Sequence, residues 1–141
     1  MRTLLIYIVH LGSPPKGTQQ GKRAMNFGGK ARLVPGKGTE PAFAEWAVIL
    51  QPHKPPMPLD IPLELELLLV WPFPSGTTKK KMAMGEQPKL TKPDRVNVEK
   101  ICEDCMKRVG YFTDDNIVWS GSTKKMIGPV PRIEIKVWGD V

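Results

Sequence analysis

Three aspartates and one lysine stand where they can do chemistry. The chain reads TKPDRVNVEKICEDC over residues 91–105 and GYFTDDNIV over 110–118. Asp94 follows a proline and opens a run of helical periodicity, Lys100 lies one to two turns along, and Asp114 and Asp115 come after that run and before a strand. Carboxylates gathered in one place repel each other, by ~1 kcal/mol per pair at 4 Å in water and more when partly buried. A hard divalent ion such as Mg²⁺ relieves the repulsion. It can also orient an attacking water and stabilise charge on a phosphodiester. Lys100 is placed to offset charge at the phosphate or the leaving oxygen. The same residues fit a plainer account, with Asp94 as a helix cap and Asp114-Asp115 as a turn. Spacing alone leaves both open.

The elements that must position these residues are legible. MRTLLIYIVHLG carries a run of β-formers, Leu4 to Val9, and reads as a buried strand. ARLV, within the following loop, reads as a short strand. TEPAFAEWAVILQ reads as a helix, with Phe43, Trp46, Ala47 and Leu50 at helical spacing and Pro52 ending it. Leu63, Leu65 and Leu67 alternate with Glu64 and Glu66 in a long strand. Asp94 to Val109 forms the second main helix, with Val98, Ile101, Cys102, Cys105 and Val109 as its apolar stripe and Gly110 as its stop. NIVWSGSTKK and RIEIKVW read as a closing hairpin around IGPVP. The order predicts one α+β domain over residues 1–141, with two main helices and a mixed or mainly antiparallel sheet.

Charge points to a polyanionic partner. The chain has 141 residues, 21 Lys and Arg against 14 acids, and a net charge of +7. The cations concentrate in two loops. Lys16, Lys22, Arg23, Lys30, Arg32 and Lys37 lie in one without an acid, and Lys79, Lys80, Lys81, Lys89 and Lys92 lie in another with only Glu86. Such loops suit phosphate gripping. Neither apolar run approaches the ~20 residues of a bilayer span, so a cytoplasmic protein that makes no use of a membrane is expected. Cys102 and Cys105 form a C-x-x-C without a second pair, and both fall inside a helix, where they read as two half-buried structural thiols. No glycine-rich phosphate fingerprint and no aromatic RNA platform is visible.

KPDRVNVEK followed by GYFTDDNIV resembles the signature of the RusA family of Holliday-junction resolvases. That family carries K-P-D-x-D-N-x-x-K, an Asp four residues after the Lys, and G-[FY]-x-x-D-D-x-x-[IV]. Lys92, Pro93, Asp94, Asn97, Lys100, Asp104, Gly110, Tyr111, Asp114, Asp115 and Val118 match. The resemblance implies a homodimeric, Mg²⁺-dependent endonuclease, often phage- or prophage-borne, that cuts four-way DNA junctions symmetrically in recombination and repair. It implies Asp94 and Asp115 as catalytic acids, Lys100 as catalytic lysine, and Asp94, Asp114 and Asp115 as the metal-holding acids. No small-molecule cofactor is implied. DNA contacts are expected from Lys16, Lys22, Arg23, Lys30, Arg32, Lys79, Lys80, Lys81 and Lys92. The family's remaining acid falls at position 96, where this chain has Val96. Valine offers no oxygen, so metal binding should weaken while the lysine-based DNA grip stays. Two readings follow: an active nuclease, slow or served by Mn²⁺, and a junction-binding protein that no longer cleaves. A third, a basic α/β module for RNA or protein, sets the resemblance aside.

Overall fold

Alternation along the leucine-rich strand sets the architecture. Leu63, Leu65, Leu67, Leu69 and Trp71 are buried on one face of β4 (Leu63–Pro72), while Glu64, Glu66 and Leu68 face the other way, half-buried. A computed structural model of the chain describes residues 2–17, 23–27, 30–34 and 39–141. The remaining elements are β1 (Arg2–Leu11), β2 (Arg23–Phe27), β3 (Lys30–Val34), α1 (Thr39–Leu50), α2 (Lys79–Met82), β5 (Gln87–Pro88), α3 (Arg95–Val109), β6 (Val118–Gly128) and β7 (Arg132–Asp140). A mixed five-stranded sheet runs β1-β7-β4-β6-β5, and β2-β3 form a separate antiparallel pair. The α+β expectation therefore holds.

One core joins sheet and helices. Leu65, Leu67 and Leu69 of β4 and Ile133, Ile135 and Val137 of β7 pack with Ala42, Trp46, Ile49 and Leu50 of α1. Val98, Ile101, Cys102, Cys105 and Met106 of α3 complete it. Each fully buried Leu or Ile side chain contributes ~1.5–3 kcal/mol relative to exposure. The opposite sheet face is charged: Arg2 bridges Glu64 at 3.0 Å and Glu66 at 2.7 Å, and Arg132 bridges Glu134 at 2.7 Å. The two cysteines are fully rather than half-buried, and burial pushes both thiols up, so they behave as core residues.

The last two strands depart from expectation. β6 and β7 do not pair with each other. β4 lies between them, parallel to β6 and antiparallel to β7. The link Pro129–Pro131 must cross the end of β4, two inter-strand spacings or ~9.6 Å, a distance within the reach of three or four extended residues. Pro129 and Pro131 fix two φ angles of that link, which bends at Pro129 and Val130. The basic loop at 79–92 also contains structure, the single turn of α2 and the two residues of β5.

Gly110 ends α3 with φ 108°, a left-handed cap whose N–H bonds Met106 O and Lys107 O. Tyr111 then turns inward and donates its hydroxyl to Leu50 O, fixing the path toward Asp114. Gly110→Ala forces a Cβ into the left-handed region and should cost about 1–2 kcal/mol, read as a lower urea midpoint with unchanged m.

Candidate active site

Helix α3 divides the predicted acids into two groups. Asp94 is its N-cap, and Oδ1 accepts from Val96 N at 2.9 Å and Asn97 N at 3.3 Å. Oδ2 makes no hydrogen bond among the described residues. Lys92, Asp94, Arg95 and Lys100 are all exposed around this end. Asp114 and Asp115 lie past the other end of the same helix. Its 15 residues span about 22 Å at 1.5 Å each. Strand β6 runs back along α3: Thr123 meets Glu99 at 2.8 Å, and Lys125 Nζ meets Pro93 O at 2.6 Å. Helix and strand do pack side by side, yet this lays Asp94 and Asp115 at opposite ends of the pair within one chain. Among the described residues no group of three or more His, Cys, Asp and Glu is arranged to hold a metal.

The C-terminal group is tightly organised. Asp114 caps a 3-10 turn, Asp115–Ile117, by accepting from Asn116 N at 3.1 Å. That N–H holds its carboxyl below the ordinary range, with further help from a hydrogen bond to Asp115 and from Lys107. Lys107 Nζ stands 4.0 Å from Asp114 and 3.9 Å from Asp115. Asp104, Lys107, Arg108 and Asp115 line a shallow cleft of about 310 Å³. The plain account of these acids, cap and turn, is therefore true as local structure and compatible with a further role.

Val96 is 59% exposed on the first turn of α3. No packing demand explains an apolar residue there. Glu99, one candidate to replace the missing oxygen, is turned toward β6 and bound to Thr123. Glu99 and Glu103 converge over Gly121, where an added Cβ would collide with Glu99 Oε1 and lie 3.4 Å from Glu103 Oε1. At ideal helical geometry both glutamates lie off the face of Asp94, Asn97 and Lys100, and the strand that receives them cannot be read from the helix alone. Of the predicted DNA-contacting residues, Lys16, Lys79, Lys80, Lys81 and Lys92 are exposed. Lys22 and the side chains of Arg23, Lys30 and Arg32 lie outside the described residues. Lys125 was missed, although period-two alternation from buried Thr123 puts it on the helix-facing side.

Among the described residues Glu103 is the one strongly displaced carboxyl. Burial, then the charges of Glu99, Asp104 and Asp115, push it up from 4.5 to about 7. The folded state holds this proton more tightly than the unfolded chain. Stability is thus full below about 4.5 and falls as pH rises through about 7. Glu103→Gln should therefore melt higher than the parent at pH 8 and no higher at pH 5, as thermal unfolding at the two pH values will show.

Comparison with known proteins follows the same residues. No curated protein is significantly similar in sequence. The family model for endodeoxyribonuclease RusA matches residues 13–138, which include both basic segments, both ends of α3 and the closing strands. A match over most of the chain, on top of the motif at 92–118, settles kinship: this protein belongs to the RusA family of endodeoxyribonucleases, nucleases that resolve Holliday junctions in recombination.

Proposed function

We propose that this protein is a homodimeric, Mg²⁺-dependent resolvase of four-way DNA junctions serving recombination and repair in the cytoplasm, and that Val96 limits its cleavage. The observation that carries the proposal is the geometry of Asp94. It is fixed at a helix start with Oδ2 uncommitted, among Lys92, Arg95 and Lys100, beside an exposed Val96 where the family carries an acid. Asp94, Asp114 and Asp115 are the oxygen donors that suit a hard divalent ion. Bound there, the ion would activate water and stabilise the phosphorane charge. Lys100 would neutralise the departing oxygen. The lysines at 16, 79–81 and 92 would hold the phosphate backbone, together with Lys22, Arg23, Lys30 and Arg32.

The separation of Asp94, at the start of α3, from Asp115, beside Asp104 and Lys107 near its end, supports a dimer on geometric grounds. A two-fold axis through the middle of α3 lays two such helices antiparallel. Asp94 of each copy then meets Asp115 of the other, making two equivalent sites for two symmetric cuts. Light scattering at micromolar concentration should give twice the chain mass. Mixing Asp94→Asn protein with Asp115→Asn protein, in the cleaving background described next, should restore nicking, because one of the two shared sites in a mixed dimer is intact. Cleavage no greater than the two proteins give separately would refute the shared site.

A second reading, a junction-binding protein that does not cleave, is favoured by one observation, the valine itself. The discriminating experiment is Val96→Asp on a labelled four-way junction. The exposed first turn of α3 has no acid, so the change is compatible with the fold and with the helix dipole. Cleavage with Mg²⁺ should rise at least about tenfold, the equivalent of ~1.4 kcal/mol in transition-state stabilisation. Metal-free affinity should stay level or fall slightly. A parent that already cuts briskly with Mg²⁺ or Mn²⁺, unimproved by Val96→Asp, would exclude position 96 as a ligand.

A further inference from the structure

A second cluster of charge lies beside the loop that leads to Asp94 and, among the described residues, contains only cations. Lys16, Lys89 and Thr91 line a cavity of about 380 Å³ whose walls include Trp71, Phe73 and Pro74. Lys89 Nζ sits 5.4 Å from the Trp71 ring centroid and donates to Thr91 Oγ1 at 2.9 Å. Lys125 stands behind it. Its ammonium donates to Thr91 O at 2.8 Å and Pro93 O at 2.6 Å, and its carbonyl accepts from Lys89 N at 2.9 Å. The floor is rigid: Trp71 is 1% exposed and its indole N–H donates to Pro14 O at 3.0 Å, two residues before Lys16.

Two ammonium groups, Lys16 and Lys89, line the cavity, and a third, Lys125, stands beside them on the same threonine, Thr91, that Lys89 bonds. No acid lines the cavity among the described residues. None can come from the segment leaving Lys16 either, because the first acid in the chain is Glu40. Burial, then Lys125, then Lys16, pull the Lys89 ammonium below its ordinary value. Like charges held together by backbone bonds are unfavourable until an anion sits between them. Lys89 commits one of its three protons to Thr91 and Lys125 commits two of three to carbonyls, so donors remain on both. The half-buried Phe73 beside them offers an apolar wall of the kind a sugar or base can cover.

We infer that Lys16, Lys89 and Lys125 form a pocket for one phosphate group of a nucleic-acid strand, with Phe73 against the adjoining sugar or base. The inference rests on the reading of this protein as a DNA-binding nuclease, and it adds a residue-level anchor that joins Lys16 and Lys89, one from each basic loop, to Lys125 of β6. The pocket abuts the loop that presents Asp94, since Lys125 grips the carbonyl of Pro93. A phosphate seated there fixes the strand in register with that carboxylate. The phosphate could be an internal phosphodiester or a 5′-terminal phosphomonoester, and the chemistry of recognition is shared.

Lys89→Met is the test, because methionine keeps an apolar stem over Trp71 and removes the charge. Four-way junction binding would be measured across salt for parent and variant, with 5′-phosphorylated and 5′-hydroxyl arms. One lost phosphate contact should lower the log–log salt slope by about 0.9. A drop with both junctions assigns an internal phosphodiester, and a drop confined to the phosphorylated one assigns a strand end. An unchanged slope, in a preparation where Lys79→Ala/Lys80→Ala/Lys81→Ala does lower it, overturns the pocket and leaves DNA binding intact. If no DNA binds at all, the underlying reading fails. The pocket is then judged by inorganic phosphate alone: NMR of the lysine ammonium groups should show Lys89 shifting with phosphate and titrating at higher pH, and no shift refutes it.

Discussion

Everything in this fold hangs on β4 being hydrogen-bonded on both edges. Among the described residues it is the strand that pairs with both β6 and β7, and its inward side chains form the middle of the core. A central strand with one apolar face can shift register only by sending its leucines to the charged side. That pins β6, and β6 in turn pins α3 through Thr123 and Lys125. The placement of Asp94 is therefore a long-range consequence of leucines thirty residues upstream, relayed by a strand that itself carries no acid.

The helix α3 had the most readable sequence. Its cap, apolar stripe and glycine stop are all local signals: Asp94 and Gly110 stand where expected, and of the stripe Val98, Ile101, Cys102 and Cys105 are buried and Val109 partly so, with Met106 a further buried residue. β4 was equally clear because a period of two over Leu63–Leu67 admits few alternatives. What stayed hidden was non-local. The run IGPVP looks like any hairpin link, and only strand pairing reveals that β4 passes between its two arms. The acids behaved likewise. Their types and spacing carried the family kinship, whereas their separation along α3 follows from the direction in which β6 returns. The lysine pocket is assembled from residues 16, 89 and 125, too far apart in sequence to suggest one another.

The two ends of α3 differ in electrostatic character. At the N-terminal end the carboxylate of Asp94 stands alone among cations and engages the helix dipole. At the other end Asp114 and Asp115 share Lys107, and between the two ends Glu99 and Glu103 crowd over Gly121, with Glu103 pushed up to about 7. An approaching polyanion meets attraction at one end and repulsion at the other unless a divalent ion intervenes. Gly121 has a structural part in this arrangement, because any side chain there would displace the glutamates from the sheet.

The pairing of β1 with β7 has a consequence for biosynthesis. Arg2 opposes Asp140 and Leu11 opposes Arg132, so the earliest strand of this sheet in chain order is matched by its latest. β4 likewise waits for both β6 and β7. On the ribosome the apolar strands β1 and β4 must emerge long before their partners exist. Contacts this distant in sequence form slowly, since loop closure precedes any gain from them. A nascent chain halted before residue 132 would expose two unpaired β-edges, the condition that draws chaperones or aggregation.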